Sequence, residues 1–133
     1  MERVINFLKQ NVTGAFATIE NGKPRVRPWG FIMEEDKKFY FVTANIKNVY
    51  KQLQENPYAE FTSTSKEMIS VRLSGEVIFI KDLLTKQKVL DRNVAVKGLY
   101  KSAENPIFEV FYIEHGEAMI ADFSGQPPTV ISF

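Results

Sequence analysis

Arg25, Arg27 and Lys47 are the side chains whose types and spacing point most directly to chemistry, and that chemistry is the holding of an anion. Arg25 and Arg27 are separated by one residue, so on an extended strand both project from the same face. Lys47 follows a β-type run that ends at Thr43-Ala44 and passes directly into helical spacing from Asn45. A helix start carries unpaired N–H groups and a partial positive charge, which favour an anion. A lysine in that first turn opposes the dipole unless an anion neutralises both. Arg27, Lys47 and the helix amides therefore form a candidate monophosphate site built on charge-assisted hydrogen bonds. The same residues also read as solvated strand and helix charges, a common arrangement, and spacing alone leaves the two readings open.

Other chemistry is excluded by inventory. The chain has no Cys, which removes disulfides, thiolate metal sites and cysteine nucleophiles. His115 is the only histidine, and it precedes Gly116 in what reads as a surface turn. Glu34-Glu35 reads as a solvated turn, since adjacent strand residues face opposite sides. Neither a P-loop nor a dinucleotide glycine loop occurs, and no metal site is expected. The 17 Lys and Arg against 16 Asp and Glu give a net charge of +1, too balanced for a chain whose main partner is nucleic acid or an anionic membrane. Met1 to Asn6 shows no signal-peptide apolar core, and no run approaches transmembrane length, so a soluble cytoplasmic protein is expected. Any redox activity would then come from a bound cofactor rather than from side chains.

At 133 residues, with 44% hydrophobic residues, one domain with a proper core is feasible. Aromatics are 13% of the chain, which suits a β core and also a protein that holds a flat ligand. The elements that must position the cations follow from periodicity. Val4, Ile5, Leu8 and Val12 predict an N-terminal helix ending before Gly14. Gly14–Glu20 and Lys23–Glu34 flank Asn21-Gly22, the strongest short hairpin signal, and Pro24 and Pro28 make the return strand an edge or an interrupted one. A third strand covers Phe39–Val42, and Ile46, Val49, Tyr50 and Leu53 predict a helix stopped by Asn56-Pro57. Tyr58–Ser63 and Met68–Ile80 pair next, with Gly75 at a bulge or close approach. Asp82 caps a helix through about Lys97, closed by Gly98. Ile107–Glu114 and Glu117–Phe123 are expected as a hairpin across His115-Gly116, and Thr129–Phe133 as a last extended piece. Six or seven strands in sequential hairpins, with two or three helices, argue for a mainly β antiparallel barrel with flanking helices.

The order hairpin, Arg27-Pro28-Trp29, Phe41-Val42-Thr43, Lys47, Val49-Tyr50, Leu53 and Asn56-Pro57 resembles the pyridoxamine 5′-phosphate oxidase-like, FMN-binding split-barrel family. Tyr100-Lys101, Asn105-Pro106 and the tail Ser124 to Pro128 are similar to its small single-domain members of the nitroimidazole-reductase type. The resemblance covers nearly the whole chain. It implies a six-stranded antiparallel Greek-key split barrel, forming a homodimer with FMN in grooves at the subunit interface. By the same resemblance, Arg27 opens the FMN-binding strand and Pro28, Trp29 and Gly30 run along the flavin, with Arg25 counted beside them as a cofactor-binding candidate from its spacing. Val42, Thr43 and Ala44 end the next strand, and Lys47 and Asn48 stand where the family binds the phosphate; apart from the resemblance, a flavin ring needs an apolar slot, which Trp29 and Tyr50 are expected to line. Ser70 faces the pyrimidine edge, beside Arg72 on the same strand, and Tyr100 and Lys101 reach the neighbouring subunit's flavin.

True pyridoxamine phosphate oxidases carry Ser-Arg-Lys where this chain has Lys47-Asn48-Val49, and they end in an Arg-x-His segment that this chain lacks. Vitamin B6 phosphate oxidase activity is therefore not expected, while FMN binding is. The implied activity is reduction of a small molecule with electrons from NADH or NADPH. The alternatives are a non-enzymatic or stress-related flavin binder, or the same barrel with a deazaflavin or a heme; a single turn histidine counts against heme. A barrel that binds single-stranded nucleic acid is opposed by the net charge.

Overall fold

Asn21 and Gly22 take left-handed φ values of 51° and 74°, as a two-residue hairpin turn demands. They fold strand β1 (Thr13–Glu20) onto β2 (Lys23–Gly30), with Glu20 opposite Lys23. The closing pair of such a hairpin exchanges hydrogen bonds and the pattern then alternates, so the backbone nitrogens of Pro24, Val26 and Pro28 point away from β1. Proline has no N–H to leave unpaired there. Both prolines therefore sit at the sheet edge at no cost in ladder bonds, and they blunt that edge against a further strand.

The computed structural model describes every residue from Met1 to Phe133. Besides β1 and β2 it contains α1 (Glu2–Gln10), β3 (Met33–Glu35), β4 (Lys38–Ala44), α2 (Asn48–Glu55), β5 (Tyr58–Thr64) and β6 (Ser70–Ile80). α3 (Leu83–Asp91), α4 (Val94–Tyr100), β7 (Phe108–Ala121) and β8 (Thr129–Ser132) complete it. The eight strands form one antiparallel sheet in the order β2-β1-β5-β6-β7-β4-β3, with β8 beside β7. Its end strands, β2 and β3, are consecutive in the chain. Phe31 N–H donates to Val12 O at 2.8 Å and Ile32 N–H to Tyr40 O at 3.2 Å, so the β2–β3 link itself bridges the gap. β7 pairs with β4 through its first half and with β8 through its second, so the barrel is split along β7. No helix is long and apolar enough to cross a membrane.

Eight strands and four helices replace the expected six or seven and two or three. The expected strand Lys23–Glu34 breaks at Phe31-Ile32 into β2 and β3. The hairpin expected at His115-Gly116 does not form, and β7 runs straight through it. His115, at φ 51°, instead sits beside a register shift between Ser74 and Glu76 on β6. There the backbones of β6 and β7 touch. A Cβ on Gly116 would lie 1.8 Å from Ser74 O, and one on Gly75 would lie 2.8 Å from Glu114 O. Glycine answers a close approach here, as expected at Gly75, and not a chain reversal.

The expected single helix from Asp82 is two helices. Asp82 does cap α3, accepting from Thr85 N–H at 3.1 Å, but Asn93 starts a second helix by accepting from Val96 N–H at 3.0 Å. Gly98 lies inside α4, which ends at Tyr100 with Lys101 at φ 71°.

Two cores result. Inside the barrel, Phe16, Phe31, Phe39, Phe41, Phe61 and Phe111 pack with Val4 and Leu8 of α1 and with Val49 and Leu53 of α2. On the outer face of β4 and β7, Tyr40, Ala44, Phe108 and Val110 pack under Val89 and Leu90 of α3 and Tyr100 of α4. Strand alternation divides β4 between them: Phe39 and Phe41 point in, while Tyr40 and Ala44 point to the helices.

Candidate functional site

The register of the first hairpin builds the site. Arg25, Arg27 and Trp29 of β2 stand opposite Thr18, Phe16 and Gly14 of β1, so they share one face with them, as the spacing predicts for the two arginines. Trp29 lies over Phe16 with ring centres 5.4 Å apart and planes 27° apart, which roots the strand in the barrel core. The two arginines then part company. Arg25 is exposed and pairs through Nε with Glu20 Oε1 at 3.1 Å. Arg27 is half-buried and has no carboxylate partner.

Arg27 Nη1 donates to Phe16 O at 3.2 Å and to Thr18 Oγ1 at 2.8 Å, while Nη2 donates to Gln52 Oε1 at 2.8 Å. A guanidinium has five N–H groups. Two remain, the Nε–H and one Nη2–H, and they lie along one edge in the fork geometry that takes two oxygens of a phosphate. Burial pulls the Arg27 pKa down and the charge of Glu20 pushes it back up, yet an arginine stays protonated at any physiological pH. The hydrogen-bond acceptors of Arg27 are all neutral, and the nearby Glu20 acts on it only through space.

α2 begins at Asn48, three residues later than the periodicity suggests, because Asn45 N–H donates to Ile107 O and Lys47 N–H to Ala44 O. Ile46 is consequently 75% exposed, and Lys47 is the N-cap rather than a first-turn residue. The cap has no side-chain hydrogen bond. A lysine ammonium has no acceptor with which to cap the helix N–H groups, and here it lies 5.9 Å from the centre of the Trp29 ring.

A polar groove of about 480 Å3 runs between β2 and α2, lined by Glu20, Arg25, Arg27, Lys47, Asn48 and Gln52 among others. A largely apolar groove of about 280 Å3 lies beside it, lined by Gly30, Ile32 and Val42 and by Val96, Leu99 and Tyr100 of α4. Trp29 and Lys47 belong to both. Side by side, the two grooves offer cations on one side of Trp29 and an apolar wall on the other.

Most of the predicted site residues thus meet. Arg25, Arg27, Pro28, Trp29, Lys47 and Asn48 line the polar groove, and Trp29, Gly30, Val42 and Tyr100 line the apolar one. Others lie elsewhere in this subunit. Thr43 is buried, and its Oγ1 has no hydrogen-bond partner. Ala44 is buried in the outer core, Tyr50 packs on Phe79 at 5.0 Å, and Lys101 is an exposed helix cap. Ser70 opens β6, separated from β2 by β1 and β5.

Gln52, Thr18 and Glu20 are the residues that sequence reasoning missed. Gln52 is buried on α2 between Val49 and Leu53, and a polar residue inside a helix's apolar stripe was the available signal. Its Nε2 donates to Glu20 Oε2 at 3.3 Å. Hydrogen bonds from Arg25 and then Gln52 hold the Glu20 carboxyl below the usual carboxylate range.

Residues 1–117 match the family described as pyridoxamine 5′-phosphate oxidase. A NimC/NimA-family protein from Clostridium acetobutylicum is 34% identical and superposes with a TM-score of 0.90, over 100% of this chain and 92% of that one. General stress protein 26 from Bacillus anthracis shares the fold at 20% identity and a TM-score of 0.80, over 99% of this chain and 98% of its own. A heme-binding protein from Mycobacterium smegmatis shares it at 14% identity and a TM-score of 0.82, and this chain spans 57% of its length. No curated protein matches the chain.

Proposed function

The chain belongs to the pyridoxamine 5′-phosphate oxidase family, and from that premise we propose that it is an FMN-binding flavoprotein that reduces a small molecule with electrons from NADH or NADPH. The carrying observation is the half-buried Arg27 guanidinium, with two N–H groups left over, lining a polar groove that meets an apolar one at Trp29 and Lys47. In this reading Arg27 and Lys47 hold the phosphate, helped by the unpaired amides at the start of α2. Ile32, Val42, Val96 and Leu99 keep water from one side of the ring, and Trp29 separates the ring from the phosphate end. The flavin, when bound, supplies the redox chemistry; the protein supplies binding and orientation.

The active form is a homodimer in the cytoplasm, with the second subunit forming the other wall of the apolar groove. A heme in its place would depend on His115, which is exposed and lines neither groove.

The test is the visible absorption spectrum of the purified protein and of its heat-released supernatant. The twin bands of oxidised flavin, with one chromophore per chain, are expected. A colourless protein that also fails to take up added FMN overturns the proposal. Steady oxidation of NADH or NADPH in the presence of a nitroaromatic or quinone acceptor separates a reductase from a flavin carrier.

A further inference from the structure

Resting on the phosphate reading of the polar groove, we propose that Gln52 is the positioning residue that turns the open edge of Arg27 toward the ligand and keeps its charge unspent. Gln52 is 5% exposed and lies on α2 at the wall of the polar groove. Its Oε1 accepts from Arg27 Nη2 at 2.8 Å and from the Thr18 hydroxyl at 2.5 Å. Thr18 Oγ1 in turn accepts from Arg27 Nη1 at 2.8 Å, so two linked oxygens occupy the end of the guanidinium fork. Phe16 O takes the remaining Nη1–H.

The amide can stand only one way round. Glu20 Oε2 accepts from Gln52 Nε2, so a flipped amide would set oxygen against carboxylate and N–H against guanidinium. Glu20 therefore fixes Gln52, and Gln52 fixes Arg27, through side chains on β1, α2 and β2. The neutrality of the amide matters as much as its geometry. A carboxylate at this position would place Arg27 in an ion pair and cancel the charge the phosphate needs. Glutamine orients the cation without neutralising it.

The experiment compares the dissociation constants of FMN and riboflavin, which differ only by the phosphate, in the wild-type protein and in Gln52→Met and Gln52→Glu. Both variants are expected to weaken FMN by about tenfold or more while leaving riboflavin within about twofold, the loss of an oriented charge-assisted contact. Equal weakening of both ligands marks a merely structural role and overturns the proposal. A wild-type preference for FMN that survives in both variants overturns it too. A wild-type protein that binds riboflavin as tightly as FMN instead defeats the phosphate reading itself. Should the buried Gln52 variants not fold, Thr18→Val, nearly isosteric with the native side chain, removes the hydroxyl that links Gln52 Oε1 to Arg27 Nη1 and leaves the charge of the groove unchanged. It is expected to lower the FMN preference about threefold, and an unchanged preference again overturns the proposal.

Discussion

One face of β1 carries Phe16, Thr18 and Glu20 in succession, and so passes from the barrel core to the polar edge in a few residues. The two regions are held in different ways. Around Phe16 the rings of Trp29, Phe41 and Phe111 lie 5.4–5.6 Å away, and the stabilisation is apolar area shared among many neighbours. Around Thr18 there are a handful of directional bonds to Arg27 and Gln52, each with a single geometry. Burial is redundant and nonspecific, so it fixes the fold. The directional network is small and exacting, so it fixes where a charge points. A change in the first region should register in stability, and a change in the second in binding.

The largest expected effect tests the core. Phe41 is fully buried against other rings, and Phe41→Ala should cost about 3–5 kcal/mol in chemical denaturation. A loss below about 1 kcal/mol would break the comparison, because the core would then be no more committed than the edge. Next comes Arg27→Ala, expected to weaken FMN by about 1.5–3 kcal/mol, with Lys47→Ala weakening it less, as an exposed point charge. Titration by flavin fluorescence checks both, and unchanged affinity in both variants sinks the phosphate assignment.

Thr43→Val sharpens the boundary between the regions. The Thr43 hydroxyl is buried without a partner, so the ligand-free protein should gain about 1 kcal/mol when it is replaced by a methyl. A less stable variant would show that the hydroxyl is bonded after all, and the FMN affinity of the same variant reports whether the ligand uses it.

The smallest effect lies on the acid side. The Asp82 carboxyl is lowered chiefly by the Thr85 hydroxyl and amide, and the Asp91 carboxyl by Lys97 and Gln87. A carboxyl lowered in the folded state binds its proton first in the unfolded chain, so stability falls as pH drops from the usual carboxylate range through the folded value. The melting temperature should therefore decline below about pH 4. Asp82→Asn, which keeps a cap but cannot titrate, should flatten that decline, and an identical profile would remove Asp82 from the account.

Much of the fold was readable where the signal is local. Asn21-Gly22 marked the hairpin, Pro24 and Pro28 the edge strand, Asp82 a cap and Gly75 a bulge, each through the backbone geometry of a few adjacent residues. The readings at His115-Gly116 and Asn45 failed for one reason. A glycine beside a positive φ and an apolar residue near a strand end look alike whether the chain turns or a neighbouring strand presses on it. Only the Ser74 and Ile107 carbonyls, far along the chain, distinguish the cases.

The sequence by itself determined the chemical palette: no thiols, one imidazole, balanced charge, and cations clustered beside a strand and a helix start. It also determined the order of elements that carries the family resemblance. Tertiary structure decided which cation is which. Arg25 and Arg27 are alike in type, strand and face, yet one is spent on Glu20 and the other is kept open by Gln52, 25 residues away. The cause is the docking of α2 against β1. It brings a buried amide to one guanidinium and leaves the other in water, and no spacing along the chain records that.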